Sequence, residues 1–307
     1  MMNLNSKILV TGATGVVGIA LQKELLNNYN NCLFIGSKDY NLISLYETQE
    51  LFEEYRPDYV FHLAGCVYGI LGNLNNKGKS FYNNLMINAN VIECCKNFKV
   101  KKVLCMGTGA MYGIRAQIPL KEIELFNGRP HLSEDSYAQA KRAMLSQLEA
   151  YNFEYGLDFV CPISCNLFGE GDRFNLKDGH VIPMLIRKFR NAYNNNTDVE
   201  VWGDGKIYRD FLYSKDVARL LILLMNNYSG VVNIGSGTIS SIDDIVNILS
   251  NLTQIKYYYN NKLGGQKERF YDLSIIKNLG FNSKCSLEAG LIYTYNWFAK
   301  NELNFRE

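Results

Sequence analysis

The chain has almost no surplus of charge of either sign. Its 32 Lys and Arg face 30 Asp and Glu, for a net charge of +2, with no unbroken basic run and no zinc-finger or coiled-coil spacing. Balanced, scattered charge suits a solvated surface and gives no footing to a nucleic-acid partner. No apolar run approaches the roughly 20 residues that span a bilayer, and Met1 leads into a strand-like run without a charged leader or cleavage site. A soluble, cytoplasmic protein with no membrane partner is expected. No C-x-x-C pair occurs among the eight cysteines, Cys32, Cys66, Cys94, Cys95, Cys105, Cys161, Cys165 and Cys285. Dithiol redox chemistry and a metal site thus lack their usual spacing, and the thiols read as reduced core residues.

What is present is a core-forming α/β pattern. The 307 residues are 47% hydrophobic, enough for one large domain or two unequal lobes. Short apolar runs at 7–11, 32–35, 59–63, 103–106 and 159–163 alternate with stretches of helical spacing at 19–29, 45–55, 81–98 and 136–155. That alternation predicts a Rossmann-type doubly wound parallel sheet. After Asn166 the pattern loosens through 169–179, resumes as an amphipathic segment over 180–193 and loosens again at 194–196. The chain then returns to the sheet at 209–225, read as an apolar helix, and at 231–237, a strand and turn. Further helices are expected over 242–252 and 286–300. Residues 1–165 and 204–239 are thus assigned to a dinucleotide-binding domain, and 166–203 and 240–307 to a smaller, interleaved α+β substrate lobe.

Three motifs carry chemistry. In Thr11-Gly12-Ala13-Thr14-Gly15-Val16-Val17-Gly18, Gly12 permits a tight turn and Gly15 a close backbone approach to a pyrophosphate. Gly18 lets the following helix pack on the sheet while its N-terminus faces the anion. At the end of the second strand stand Gly36-Ser37-Lys38, with Asp39 arriving later; a hydroxyl and a lysine suit a 2′-phosphate, so NADP(H) is favoured over NAD(H). Thr108 ends the run 103–107 at the carboxyl edge of a strand, where open sheets bind ligands. Tyr137 and Lys141 lie four apart, on one face of a helix, where an ammonium lowers the phenol from its ordinary value of about 10. With Thr108 they form a donor set for a carbonyl that accepts hydride.

These residues, with His62-Leu63-Ala64-Gly65, Arg209-Asp210-Phe211-Leu212 and Asn233-Ile234-Gly235-Ser236-Gly237, resemble the extended short-chain dehydrogenase/reductases. Within that family the chain is most similar to the GDP-L-fucose synthase branch. The order and spacing of 149–156, Asn166-Leu167-Phe168-Gly169, Gly179-His180-Val181-Ile182-Pro183 and Val201-Trp202-Gly203 carry that likeness across nearly the whole chain. The resemblance implies a homodimer of polysaccharide biosynthesis that acts on a GDP-linked 4-keto sugar. It assigns the reductase roles to Thr108, Tyr137 and Lys141, and further cofactor contacts to Leu63, Ala64 and Gly65. Asn166, His180, Val181, Lys188, Trp202, Arg209 and Arg269 fall near the nucleotide-sugar.

Two departures stand out. The branch pairs His180 with a cysteine to move protons beside the ketone, but the cysteine position is Ala110. Inverting a carbon needs a proton removed on one face and supplied on the other, and alanine does neither. Ser164-Cys165 replaces a Pro-Thr pair, with Pro162 two residues earlier. The expectation is an NADPH-dependent C4-reductase of a GDP-4-keto-6-deoxy sugar or a GDP-4-keto-heptose, without epimerase activity. Its rivals are the bifunctional 3,5-epimerase/4-reductase and a catalytically silent NADP(H)-sensing protein. Gly36-Ser37-Lys38 argues against an NAD-retaining 4-epimerase, and Gly109-Ala110 against a 4,6-dehydratase.

Overall fold

The computed structural model describes residues 1–177, 179–260 and 267–302; parts of the lobe expected over 240–307, namely 261–266 and 303–307, lie outside the described residues. In chain order the strands are β1 (Lys7–Thr11), β2 (Asn31–Ile35), β3 (Tyr59–His62), β4 (Lys102–Cys105), β5 (Gly107–Thr108), β6 (Asp158–Ser164), β7 (Asn166–Phe168), β8 (Val199–Val201), β9 (Tyr208–Tyr213), β10 (Gly230–Ile234), β11 (Ile239–Ser241), β12 (Tyr257–Tyr259) and β13 (Glu268–Arg269). The helices are α1 (Val16–Leu26), α2 (Leu45–Tyr55), α3 (Ile70–Asn75), α4 (Lys77–Asn97), α5 (Asp135–Tyr155), α6 (Val181–Asn195), α7 (Ser214–Asn227), α8 (Ile242–Thr253), α9 (Ser274–Asn278) and α10 (Leu287–Lys300).

The main sheet is parallel, in the order β10-β6-β4-β3-β1-β2, with β5 extending the pairing along β6. Strands β3 and β4 are buried along their whole length, as strands covered by helices on both faces must be. From β1 the chain moves outward to β2 and then returns to the other side of β1 at β3. The reversal opens a crevice at the carboxyl ends of β1 and β3, where such sheets take ligands. The Rossmann-type expectation is met.

A second sheet is built on β9, which pairs with β7, β11 and β13. Here the sequence reading is corrected: 208–213 is a strand, and the helix begins only at Ser214. The strand's two faces serve two cores, Leu212 joining the main one and Phe211 and Tyr213 the second, with Phe168, Phe174, Phe189 and Leu291. A strand apolar on both faces has no alternation to betray it. Two helices also start earlier than their apolar spacing suggests, α1 at Val16 rather than 19 and α4 at Lys77 rather than 81. The first turn of α1, 16–18, falls within the glycine motif, and that of α4 is the polar run Lys77-Gly78-Lys79-Ser80.

Candidate functional site

The crevice begins at the glycine turn. Gly12 has φ +71°, and a Cβ there would stand 2.6 Å from the Ala64 amide nitrogen, so only glycine lets the turn lie on the loop after β3. A Cβ on Gly18 would likewise press 2.6 Å from Cα of Ala13. Gly15 caps α1 without a side-chain bond, which leaves the first-turn amides of an eleven-residue helix for an anion. Thr14 packs against Gly36, and Ser37 and Lys38 stand exposed beside it. The Asp39 carboxylate folds back to accept the Gly36 N–H at 2.7 Å. On the far wall the Leu63 amide donates to Thr11 O at 3.1 Å, and the Asn84 side chain clamps the backbone of Cys66 from both sides, at 2.9 Å each. Cradle and loop together fit a dinucleotide.

Thr108 lies at the end of β5, in register with Ser164 of β6, whose hydroxyl donates to Gly107 O at 3.1 Å. Its Oγ accepts the Ala110 amide at 3.3 Å, which orients the oxygen and leaves its proton for donation. Ala110 itself is buried in the 3-10 turn 109–111. The buried Arg142 ties that turn to α5, donating from Nε to Met111 O at 2.8 Å and from Nη1 to Gly128 O at 3.0 Å. The N-terminus of α5 is fixed in turn by Asp135, paired with Lys77 at 3.0 Å and Arg129 at 3.4 Å. Tyr137 is thus delivered on a helix pinned at its start and along its flank.

The electrostatics correct the sequence reading. Burial, with help from Glu134 and Cys66, pushes the Tyr137 phenol above its ordinary value rather than below it. Lys141 is buried, and that burial lowers its own pKa, opposed by the thiols of Cys105 and Cys161. Its ammonium donates to Asn88 Oδ1 at 3.5 Å and to Met144 Sδ at 3.8 Å. The same Asn88 oxygen lies 3.1 Å from His62 Nε2, and His62 Nδ1 lies 2.7 Å from Thr11 Oγ. Thr11, His62 and Cys105 are register partners across β1, β3 and β4. Burial, reinforced by Lys141, drives the imidazole pKa down to about 3. His62 is therefore neutral.

A second cluster joins the start of α5 to the small sheet. Arg209 and Arg269 are register partners on the parallel strands β9 and β13, so their side chains leave on one face. Burial and the neighbouring Arg269 lower Arg209 to about 10. Arg269 is largely but not fully buried, and Glu134 and Tyr271 raise its pKa against that burial, with Glu134 Oε2 at 3.0 Å from its Nη2. Glu134 is the cap residue of α5, yet its side chain makes no capping bond. Among the other expected substrate residues, Lys188 donates to Glu200 O at 2.9 Å and stands 5.1 Å over the half-exposed Trp202 ring. Asn166 is in register with Phe211. His180, about half exposed, caps α6 ahead of Val181, with Nδ1 3.9 Å from Asp172 Oδ1.

The structure therefore links Lys141 through Asn88 to His62 and Thr11, and sets Glu134 between Tyr137 and the Arg209–Arg269 pair. Asn88, Glu134, Arg142 and Tyr271 escaped the sequence reading, and only Glu134, an acidic residue three before Tyr137, offered a signal. No group of three or more His, Cys, Asp or Glu that would hold a metal occurs among the described residues. Among them, no helix is long and apolar enough to cross a membrane.

Against known proteins, the model of the NAD dependent epimerase/dehydratase family matches residues 8–235. A GDP-L-fucose synthase of Dictyostelium discoideum is 34% identical over 96% of this chain and 95% of its own. A GDP-L-fucose synthetase from Naegleria fowleri bound to NADP superposes with a TM-score of 0.94 at 31% identity, over 100% of this chain and 96% of that one. A GDP-mannoheptose C4 reductase from Campylobacter jejuni with NADP bound gives 0.87 at 30% identity, over 97% and 100%.

Proposed function

The chain belongs to the NAD dependent epimerase/dehydratase family, the extended short-chain dehydrogenase/reductases, and from that premise we propose that it is an NADPH-dependent C4-reductase of a GDP-linked 4-keto sugar, a 6-deoxyhexose or a heptose. It is an oxidoreductase of nucleotide sugars, and its cofactor is NADP(H). Exposed Ser37 and Lys38 meet the 2′-phosphate, while Asp39 spends its carboxylate on Gly36. Gly12, Thr14, Gly15, Val16, Val17 and Gly18 receive the pyrophosphate, and Leu63, Ala64 and Gly65 line the opposite wall.

The observation that carries the reading is the placement of Tyr137 one carboxylate, Glu134, away from the Arg209–Arg269 pair. A proton donor beside a diphosphate-sized cationic site is what a nucleotide-linked ketone requires. The cofactor supplies hydride to C4. Tyr137, held protonated by its surroundings, gives the proton to the oxygen; Thr108 donates a hydrogen bond to that oxygen as charge builds on it; Lys141 places a positive charge behind both. Arg209 and Arg269 hold the diphosphate. Asn166, His180, Val181, Lys188 and Trp202 hold the rest of the nucleotide-sugar, in a lobe formed by 166–203 and 240–307, and the working unit is a homodimer.

Epimerase activity is absent in this reading because Ala110 offers no acid or base. The bifunctional alternative draws support from His180 beside Asp172. One incubation separates them: GDP-4-keto-6-deoxymannose in deuterated water without NADPH should gain no deuterium at C3 or C5 above a buffer control. With NADPH added, the cofactor should be consumed. Enzyme-dependent exchange overturns the reductase-only reading, and failure to oxidise NADPH with hexose and heptose substrates alike leaves the silent sensor.

A further inference from the structure

Asn88 sits in the middle of α4, 1% exposed, with its Oδ1 facing two donors and its Nδ2 buried without a partner. The amide cannot be turned over. A flip would aim Nδ2 at the Lys141 ammonium, which has no lone pair to accept with. Once Oδ1 accepts from Lys141, it requires His62 to carry its proton on Nε2, so Nδ1 is the acceptor and the Thr11 hydroxyl its donor, at 2.7 Å. The result is a line of fixed direction: Thr11 O–H to His62 Nδ1, His62 Nε2–H to Asn88 Oδ1, and Lys141 N–H to that same oxygen. At its far end Thr11 precedes the glycine turn, and its oxygen is 3.4 Å from the Ala64 amide.

Leaving Nδ2 buried without a partner costs stability. A leucine of similar volume would spare that donor but orphan the His62 Nε2–H and the Lys141 ammonium, so the asparagine is there for the acceptor it supplies. What the amide oxygen uniquely provides is an uncharged acceptor: it orients a buried ammonium without neutralising it, as a carboxylate would. We propose that Asn88 is a positioning residue for Lys141, and that His62 acts through it, locking the lysine to the cofactor cradle as one hydrogen-bonded unit. This rests on the reading of Lys141 as part of the reductase.

The test uses Asn88→Leu and Asn88→Ala, with Lys141→Met alongside, assayed by NADPH consumption with GDP-4-keto-6-deoxymannose. Asn88→Leu should lower kcat at least about tenfold while KM for the GDP-sugar stays within about twofold. With the folded fraction fixed by NADPH-binding stoichiometry, a loss confined to kcat is one that a packing role would not produce. Asn88→Ala, smaller and always accommodated, should show the same split in kcat and KM, and it decides the matter should the leucine variant not fold. Wild-type kcat in both variants, with Lys141→Met inactive, overturns the role of Asn88 alone. Turnover retained in Lys141→Met overturns the reading of Lys141 beneath it.

Discussion

At the scale of the residue, the site is governed by what each charge is doing before substrate arrives. Glu134 is bonded to Arg269 and stands near Arg209, inside the cluster assigned to the diphosphate. Its carboxylate therefore offsets part of the positive charge that an incoming diphosphate needs. Glu134→Gln keeps the shape and removes that charge, so GDP should bind more tightly, by about three- to tenfold, a range set by partial solvent screening. Titration calorimetry of wild type and variant reads this directly. Equal or weaker binding would show that Glu134 is no competitor. A second effect should follow on the phenol: without Glu134, one of the influences that raise Tyr137 is gone.

At the scale of the element, the two cores are joined by an anchor at the start of α7. Asp216 is fully buried and accepts from Ser283 Oγ at 2.7 Å and from the amides of Lys284 and Cys285 at 2.9 Å each, while pairing with Arg219. Phe281, just before that turn, packs in the main core, and Cys285 packs on the second. Asp216→Ala leaves three donors and a guanidinium without their acceptor, so unfolding stability should drop by about 3 kcal/mol. Urea denaturation checks it, and a loss under about 0.5 kcal/mol would mean that the turn holds by packing alone. Elements with a clean period were readable in advance: α2 spans Leu45–Tyr55 as its spacing predicts, with Ser44 accepting from the Glu47 amide to start it. The candidate site was legible in sequence only as a motif: the four-residue spacing of Tyr137 and Lys141 predicts one helix, and both lie on α5. Asn88 was not legible, because one more polar residue in a helix of mixed polarity carries no signal. The meeting of Arg209 with Arg269 depends on the register of β9 with β13, which no local pattern encodes.

At the scale of the whole molecule, one imidazole sets part of the response to acid. His62 is fully buried and its pKa is depressed to about 3, against about 6.5 in an unfolded chain. Between those values the unfolded state binds the extra proton, so the folded state loses stability as pH falls through that window, by at most about 1.4 kcal/mol per pH unit from this group. Above pH 7 the contribution is fully present. Comparing urea midpoints at pH 7 and pH 5 for wild type and His62→Gln should show a steeper decline in the wild type. Equal slopes would mean that His62 already titrates in the folded protein. The two-faced strand β9 has a consequence of another kind. Because Leu212 belongs to one core and Phe211 and Tyr213 to the other, adding or deleting a single residue there would exchange the facing of every side chain at once and carry Arg209 out of line with Arg269. The apolar positions of β9 accept substitution one at a time, whereas its length does not accept a change of one; indel scanning should find this strand intolerant of single-residue insertions and deletions.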